Sequence, residues 1–582
     1  MSDFEVRKYV TDILIVGGGI GGLAAAIRAR ENGADVIVLE KANARRSGLA
    51  GSGLDHIQSY IPEFHGKIGY SEEDLSADQF EFGGNPGGLH RKDLTDYFAA
   101  HSAADVIELE KYGLKFRFED SDRPGGFRIV PQFHNVPSSY HFEGRDVKPA
   151  LAKHALELGV KIFNRQHVRE LVTDGGAVTG AVSIGTRDYV ITAVSAKTTI
   201  LATSGVASRL SSGVTNGDTF ETFGTPTASA GSGKVLAAKA GAEVVNLEFI
   251  NLVTGYSFQN YSFTIGFPGG SWWPAGRIVD EDCQVVVPRT RDLPPDDPDY
   301  KAKYRELIRH SGEERGKIVP LLLQGKNLYF DLQEATDAEI DYIWWALGHE
   351  GKSGVIKHHL ASRGVNFKTA RFPVRLAGKN APVLAGLWVK DSSLETNIQN
   401  LYVAGNELAG TGMPLPAAGN ALVFGFRAGE QAAARAKETD TAADGSGAII
   451  QSLQAQAGEI LSRENGDHWF NAEDGLQILI DNNLGKPYTE NALALTAQLL
   501  QKQRDGLKLS AANLHELSRS FEVLDLYDLA ELVIASIRER KSSVGSFVRL
   551  DEAKYPAEKY GDSIAVYRKD GKVKARRLSN LV

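Results

Sequence analysis

The chain has 582 residues, of which 42% are hydrophobic and 24% charged, and its formal net charge is −8. A mildly acidic chain of this length holds roughly two or three domains with buried cores, and its charge gives no support to nucleic-acid binding. Cys283 is the only cysteine, which excludes disulfides within the chain and any iron–sulfur cluster held by several of its own thiolates.

The N-terminal sequence MSDFEVRKYV lacks the apolar segment of a signal peptide. No uninterrupted apolar run of membrane length follows it. We therefore expect a cytoplasmic protein without a membrane span.

Residues 11–41 predict a strand, a turn, a helix and a second strand, in that order. The apolar, β-branched run from Ile13 to Val16 is typical of a buried parallel strand. A helix follows, with Gly33 as its stop, and the second strand ends in Glu40.

The turn between these strands reads GGGIGG and satisfies G-x-G-x-x-G with Gly17, Gly19 and Gly22. Gly17 permits the tight turn, Gly19 lets the backbone approach a pyrophosphate, and Gly22 lets the helix pack on the strand. The helix N-terminus offers unpaired N–H groups to the phosphates, and Glu40 is placed to accept hydrogen bonds from a ribose diol. A bare glycine triplet is often only a turn, but here every element falls in register, which predicts a dinucleotide site.

A loop rich in small residues follows the second strand and contains Ser47, Gly48, Gly51 and Gly53. Such a backbone can lie against a flat ligand because no side chains intervene. The alternative is an ordinary glycine-rich loop.

Further elements follow in chain order. Residues 90–116 show helical spacing, whereas the aromatic and polar stretch 125–146 resembles a lining loop more than a core strand. A hairpin is expected around residues 174–176, and a buried strand over 198–205. Residues 400–436 then predict a strand, a glycine-rich loop and a long helix beginning near Asn420, whose N-terminus would face an anion or the electron-rich end of a reduced ring.

The sequence changes character near residue 441, where a polar linker leads into amphipathic helical segments. The end of the chain predicts a hairpin around Asp570-Gly571. The hairpin carries a basic cluster that suits either an acidic partner or a solvated edge strand, made of Arg568, Lys569, Lys572, Lys574, Arg576 and Arg577.

Several of these stretches resemble, in their order along the chain, the flavoprotein subunits of fumarate reductase, succinate dehydrogenase and adenylylsulfate reductase. The similar stretches cover most of residues 10–436, and they are IVGGGIGGLAAA, EKANARRSG, AKTTILATSG, AGSGKVLAAKAGAEVVNLEF, AGRIVDE, GLWVKDSSLETNIQNLYVAGN and GNALVFGFRAGE. EKANARRSG is most similar to the α subunit of adenylylsulfate reductase and its FAD-dependent relatives.

The resemblance implies an α/β fold: a Rossmann-like FAD-binding domain with an inserted α+β capping domain and a C-terminal helical domain. The expected division is 1–255 (FAD-binding domain, first part), 256–371 (capping domain), 372–440 (FAD-binding domain, second part), 441–550 (helical domain) and 551–582 (tail with the hairpin). The residues implied to contact FAD are Gly17, Gly19, Gly22, Glu40, Lys41, Ser47, Gly48, Val168, Ala202, Asn406, Asn420, Ala421 and Leu422.

Four departures from the family pattern bear on chemistry. Gly48 stands where a histidine attaches FAD covalently in fumarate reductases, so non-covalent FAD is expected. The family's A-G-E reads A-G-N at Asn406. The substrate arginine is missing near Met413, and the histidine of the H-Y-x-M-G-G motif falls near Ala381. Two parts of the dicarboxylate clamp are therefore absent, and neither fumarate nor succinate is the expected substrate.

The resemblance places His141, Arg145 and Arg277 near the substrate, where a proton donor or an anion-binding group is needed. The sequence thus predicts an FAD-dependent oxidoreductase, a reductase acting on a small molecule under the cap, with no metal ligands of its own. Two alternatives stay open: an electron-transfer subunit working with a ferredoxin-like iron–sulfur partner, and a reductase of sulfur oxyanions.

Overall fold

The computed structural model describes the greater part of the chain. The described residues are 4–51, 53–81, 89–119, 121, 124–132, 136–205, 209–210, 228–258, 261–263, 275–289, 297–306, 318, 320–322, 324–346, 357–358, 360–380, 385–411, 417–440, 444–484, 487–544, 547–554 and 562–579.

The described residues include strands and α-helices, which are joined by turns and short 3-10 helices. The strands are β1 (Glu5–Val16), β2 (Val36–Glu40), β3 (Leu54–Gln58), β4 (Arg128–Gln132), β5 (Val136–Gly144), β6 (Lys161–Asn164), β7 (Gln166–Asp174), β8 (Ala177–Gly185), β9 (Val190–Leu201), β10 (Val244–Val245), β11 (Asn251–Phe258), β12 (Tyr261–Phe263), β13 (Arg277–Asp280), β14 (Val285–Val287), β15 (Leu328–Asp331), β16 (Arg371–Asn380), β17 (Gly386–Leu387), β18 (Leu401–Val403), β19 (Asp467–His468), β20 (Leu509–Ser510), β21 (Asp562–Lys569) and β22 (Lys572–Ser579). The helices are α1 (Ile20–Glu31), α2 (Pro62–His65), α3 (Glu72–Glu81), α4 (Lys92–Ile107), α5 (Val147–Glu157), α6 (Ser232–Lys239), α7 (Asp337–Ala346), α8 (Ala417–Lys437), α9 (Gly447–Ser462), α10 (Trp469–Asn483), α11 (Glu490–Gly506) and α12 (Leu514–Glu539).

The central sheet has seven strands in the described residues, in the order β6-β2-β1-β9-β8-β7, with β18 also paired to β9. The pairs β1–β2, β1–β9, β2–β6 and β9–β18 are parallel. Helices α1 and α8 cover this sheet and cross closely, because a Cβ on Gly429 would lie 2.2 Å from the carbonyl oxygen of Ala25. The predicted Rossmann-like arrangement is confirmed.

A small three-stranded sheet, β3-β5-β4, corrects one prediction. The sequence predicts a lining loop over residues 125–146, yet Arg128–Gln132 and Val136–Gly144 are antiparallel strands. One face of this sheet is apolar and belongs to the main core, through Ile57 and Tyr140. The other face is polar, so the sequence of these strands does not contain the continuous apolar run that is typical of a core strand.

A six-stranded antiparallel sheet, β12-β11-β16-β15-β13-β14, is built from the middle of the chain. Strand β11 pairs with β16, so the two ends of this segment lie side by side. Its own core includes Ile278, Phe330 and Phe372. This is the region in which the capping domain is expected.

The C-terminal helices join the part of the molecule that contains the central sheet through buried charges. On β7, the Arg169 guanidinium makes two hydrogen bonds to the Asp525 carboxylate of α12, at 2.7 and 3.1 Å. Arg209 pairs with Glu473 of α10 and Glu522 of α12. Burial, aided by the nearby Arg169 charge, holds the pKa of His167 well below its usual value, so that ring stays neutral.

The hairpin predicted around Asp570-Gly571 is confirmed as β21 and β22. Strand β21 also pairs with β10, so the end of the chain completes a four-stranded sheet with β10 and β17. Among the strands that the structure describes, β22 is an edge.

Within the described part of the chain, no helix is long and apolar enough to cross a membrane. The same residues hold no group of three or more histidine, cysteine or carboxylate side chains arranged to bind a metal ion.

Candidate FAD-binding and catalytic site

The carboxyl ends of four parallel strands meet at one edge of the central sheet. Val16 of β1 pairs with Leu39 of β2 and Leu201 of β9, and Leu201 pairs with Val403 of β18. Each strand is followed by a glycine-containing turn. Ligands of open α/β sheets bind in the crevice outside the carboxyl ends of the strands.

The glycine turn after β1 is shaped by close backbone contacts. Gly17 has φ +104°, and a Cβ there would lie 2.5 Å from the carbonyl oxygen of Ala202. A Cβ on Gly22 would lie 1.9 Å from the carbonyl oxygen of Gly17, so the helix could not start where it does. A Cβ on Gly19 meets only the Ala202 oxygen, at 3.9 Å. A side chain at position 17 or 22 would therefore collide with backbone atoms, whereas there is free space beside Gly19.

Glu40 is buried at the end of β2 and fixes this turn. Its Oε2 accepts a hydrogen bond from the N–H of Gly18 at 2.7 Å, and its Oε1 accepts one from the N–H of Ala42 at 2.6 Å. Each carboxylate oxygen can accept a further bond, which leaves capacity for the predicted ribose hydroxyls.

Two buried polar atoms beside the turn make no hydrogen bond with the described residues. They are Oγ of Ser47 and Oδ1 of Asn420. The loop that carries Ser47 approaches the turn, because a Cβ on Gly48 would lie 3.5 Å from Cα of Gly19. Buried polar groups are normally satisfied. These atoms, together with the open side at Gly19, fit a polar ligand such as FAD.

Other implied FAD residues lie around the same edge. Ala202 directly follows β9, and its N–H donates to the carbonyl oxygen of Val16 at 2.8 Å. Ala421 and Leu422 lie in the first turns of α8, where the carbonyl oxygen of Ala421 is 3.2 Å from a Cβ built on Gly21. Val168 is buried in β7.

The turn at residues 405–407 gives Asn406 and Glu407 different surroundings. Asn406, at the acid position of the family motif, is half-buried beside Gly205. Glu407 is fully buried: its carboxylate binds Lys234 Nζ at 2.9 Å and the Thr203 hydroxyl at 2.8 Å. Lys234 Nζ also donates to the carbonyl oxygen of Gly205 at 2.9 Å. This buried ion pair joins the end of β9, the 405–407 turn and α6.

The side chain of Lys41 is directed to the C-terminal helices. Its Nζ lies 2.7 Å from the Glu522 carboxylate of α12 and donates to the carbonyl oxygen of Ala228. The FAD contact expected at Lys41 stays a prediction.

His141 lies in a row of polar residues on the small sheet. It pairs across the strands with His56 and with Arg128, and Gln58 pairs with Ser139 on the same face. The solvent-side face of an antiparallel sheet is normally polar and wet. Here Gln58, Ser139 and His141 are buried. This polar face, made of these five residues, is therefore directed into the protein.

Arg145 and Arg277 lie in different parts of the fold. Arg145 is exposed just after β5, and its carbonyl oxygen accepts a hydrogen bond from Arg46 Nη1 at 2.9 Å. Arg277 is half-buried on β13, with Nε 2.9 Å from Oδ1 of Asp331 and a second ion pair to Glu334. The described contacts do not bring Arg277 together with His141.

Sequence reasoning missed three features of this site. Glu407, His56 and Lys148, whose buried Nζ donates a hydrogen bond to the carbonyl oxygen of Gly18, were not predicted from the sequence. The alternation in LDHIQS could have indicated a strand with His56 and Gln58 on one face. No local signal marked Lys148, because a lysine in the first turn of a helix is normally solvated.

The chain is similar to known flavoproteins and to a known domain family. The sequence model of the family described as FAD binding domain matches residues 12–258. The fumarate reductase flavoprotein from Haemophilus influenzae is 24% identical over 96% of this chain and 92% of its own length. One of the subunits of fumarate reductase (CoM/CoB) from Methanothermobacter marburgensis is 24% identical over 74% of each chain. Adenylylsulfate reductase from Archaeoglobus fulgidus shares the fold, with a TM-score of 0.79 and 20% identity over 100% of this chain and 98% of that one.

Proposed function

This chain is an FAD-dependent oxidoreductase whose FAD-binding domain is of the fumarate reductase kind, and we propose that it reduces a small molecule other than fumarate or succinate. The observation that supports the proposal is the buried polar face around His141, because imidazole and guanidinium groups are suited to proton transfer and anion binding. Bound FAD supplies hydride transfer at its N5.

The residues at the sheet edge divide into two groups by what they would do. The glycine turn and the N-terminus of α1 would bind the pyrophosphate through backbone N–H groups. Asn420 and Ser47 would offer their buried polar atoms to the rest of the cofactor.

The polar face would bind and protonate the substrate. Imidazole is the side chain best suited to proton transfer near neutral pH, and His141 lies between His56 and Arg128 in the row. The Arg128 guanidinium would hold an anionic or carbonyl oxygen of the substrate in place. We propose Arg145 and Arg277 as further anion-binding groups, contributed from the loop after β5 and from the cap.

We propose the domain division given above, with residues 256–371 covering the substrate. The two departures in the dicarboxylate clamp, at Ala381 and near Met413, lie outside the described residues. These departures favour a substrate that is not held by the contacts of the dicarboxylate clamp.

Two further candidates share the same FAD site. In the first, the chain is an electron-transfer subunit with a ferredoxin-like iron–sulfur partner. The names of the two fumarate reductase relatives describe each as one subunit, which favours a partner of some kind. In the second, the substrate is a sulfur oxyanion, which the similarity of EKANARRSG to adenylylsulfate reductases favours.

Acid treatment should release all of the FAD from the purified protein. The chain has glycine at position 48, where the family pattern has the histidine that attaches FAD covalently. The measurement is flavin absorbance in the supernatant after precipitation with trichloroacetic acid, compared with the total before it. Flavin fluorescence that stays with the protein band on a denaturing gel would contradict non-covalent binding.

Fumarate should reoxidise the dithionite-reduced enzyme only slowly. Two missing charge-assisted contacts, each worth about 1.5–3 kcal/mol, amount to a rate loss on the order of hundreds-fold or more. The measurement is an anaerobic stopped-flow screen of flavin absorbance with fumarate, other activated alkenes and sulfur oxyanions. Rapid reoxidation by fumarate would show that the clamp is rebuilt from other residues.

The same screen tests the catalytic residues once a substrate is found. His141→Ala should slow its reduction by about a hundredfold or more, as expected for a general acid, and Arg145→Ala and Arg277→Ala are tested beside it. Lys153→Ala, at an exposed position on α5, is the control and should not change the rate. If none of the three substitutions slows the reaction, the site has been assigned to the wrong residues.

A further inference from the structure

Two charged side chains hold Gly18, the middle residue of the glycine turn, from opposite sides. Its N–H donates to the Glu40 carboxylate at 2.7 Å, and its carbonyl oxygen accepts a hydrogen bond from Lys148 Nζ. Glu40 closes β2 and Lys148 lies in the first turn of α5. Two separate elements of the FAD-binding half thus meet at one residue.

Lys148 is an unusual residue for this position. It is 1% exposed, and no salt bridge within the described residues involves it. Burying an ammonium group without a carboxylate in contact is costly. Burial lowers the pKa of Lys148 to about 7, while the nearby Glu40 acts in the opposite direction. A chain under selection for stability alone would place an apolar side chain here.

We propose that Lys148 is a cofactor-positioning residue, which fixes the glycine turn and supplies the positive charge that lets Glu40 and the FAD pyrophosphate lie at the same turn. This inference rests on the proposed binding of FAD and deepens it.

The positioning follows from the geometry of the peptide group. The carbonyl of Gly18 and the N–H of Gly19 belong to one trans peptide and point in opposite directions. The hydrogen bond from Lys148 fixes the direction of the Gly18 carbonyl, so the N–H of Gly19 points away from the Lys148 side chain. On the preceding peptide, Glu40 holds the N–H of Gly18. Both peptides that flank Gly18 are therefore fixed before any ligand arrives, which lowers the cost of binding.

The charge has a second consequence. Glu40 brings a negative charge close to a site for a pyrophosphate dianion, and the Lys148 ammonium offsets it. Asp146, two residues before Lys148, is exposed and paired with Arg46. Glu40 is therefore the charged group facing Lys148 in the described structure. A bound dianion favours the protonated lysine, so FAD binding takes up a proton when the pH is above the pKa of free Lys148.

The test is the dissociation constant of FAD, measured by quenching of flavin fluorescence when FAD is added to apoprotein. Wild type should bind FAD about tenfold more weakly at pH 8.5 than at pH 6.5. Lys148→Met should weaken binding about ten- to a hundredfold at pH 6.5 and remove most of the pH dependence. Lys148→Arg, which keeps the charge, should recover part of the affinity. Lys153→Met, on the exposed side of α5, is the matched control.

Each outcome is decisive for one claim. Wild type that fails to bind FAD at all would overturn the proposed function. Wild type that binds equally well from pH 6.5 to 8.5, or Lys148→Met that binds as well as wild type with the same pH profile, would overturn the role of Lys148 alone. If Lys148→Met does not fold, as judged by circular dichroism, the pH profiles of wild type and Lys148→Arg still decide the question.

Discussion

Replacing Gly19 with valine should abolish FAD binding while the protein still folds. The backbone at Gly19 has φ −66° and ψ −176°, a conformation that any residue adopts, and a Cβ there meets no atom closer than 3.9 Å. The valine side chain would occupy the open side of the turn, where the pyrophosphate is expected. We expect FAD affinity to fall at least about a hundredfold, close to 3 kcal/mol. The loss of helix-capping stability should be only about 1 kcal/mol.

The measurement is flavin content after purification, together with the circular dichroism spectrum and the melting temperature of the apoprotein. Gly22→Val is the contrasting variant, because a Cβ at Gly22 lies 1.9 Å from a backbone oxygen and must displace the turn itself. It should lose folded protein as well as flavin. A Gly19→Val protein that retains one FAD per chain would place the phosphates elsewhere.

Replacing Lys234 with methionine should cost about 3–5 kcal/mol of unfolding free energy, because it leaves the Glu407 carboxylate buried without its counter-charge. Both side chains of this pair are 0% exposed. The Thr203 hydroxyl remains as a partner for Glu407, but a single neutral hydrogen bond replaces little of the lost interaction. The double variant Lys234→Met, Glu407→Gln should recover a large share of the stability.

Urea unfolding followed by circular dichroism measures these differences. Lys197→Met is a suitable control, since Lys197 pairs with Asp12 at 2.9 Å in a partly exposed setting. An ion pair of that kind contributes about 0–1 kcal/mol. If Lys234→Met and Lys197→Met lose the same small amount, the buried pair does not hold the three segments together.

The parts of the fold set by neighbouring residues could be predicted from the sequence. The β1–α1–β2 unit was predicted because apolar runs, glycines and the acid at position 40 follow each other within about one supersecondary unit. The hairpins at residues 174–176 and 570–571 were predicted because a two-residue turn fixes strand pairing locally.

The parts set by distant residues could not be predicted. Strands β4 and β5 were missed because their polar face looks solvent-exposed until β3 and the interior are placed against it. Lys148 reads as a surface lysine, and its burial follows only from the contact of α5 with the glycine turn. Glu407 and Lys234 are far apart in the sequence and show no pattern that would pair them.

The pairing of β21 with β10 also affects the order of events during synthesis. Val244 and Val245 pair with Val566 and Ala565, which follow the helical segments in the chain. While the ribosome is still making the helical segments, this pair of valines has no hydrogen-bonding partner on that side, and its apolar surface is open to chaperones or to other nascent chains. The sheet that contains β10 therefore gains this neighbouring strand only after the residues of β21 have been synthesised.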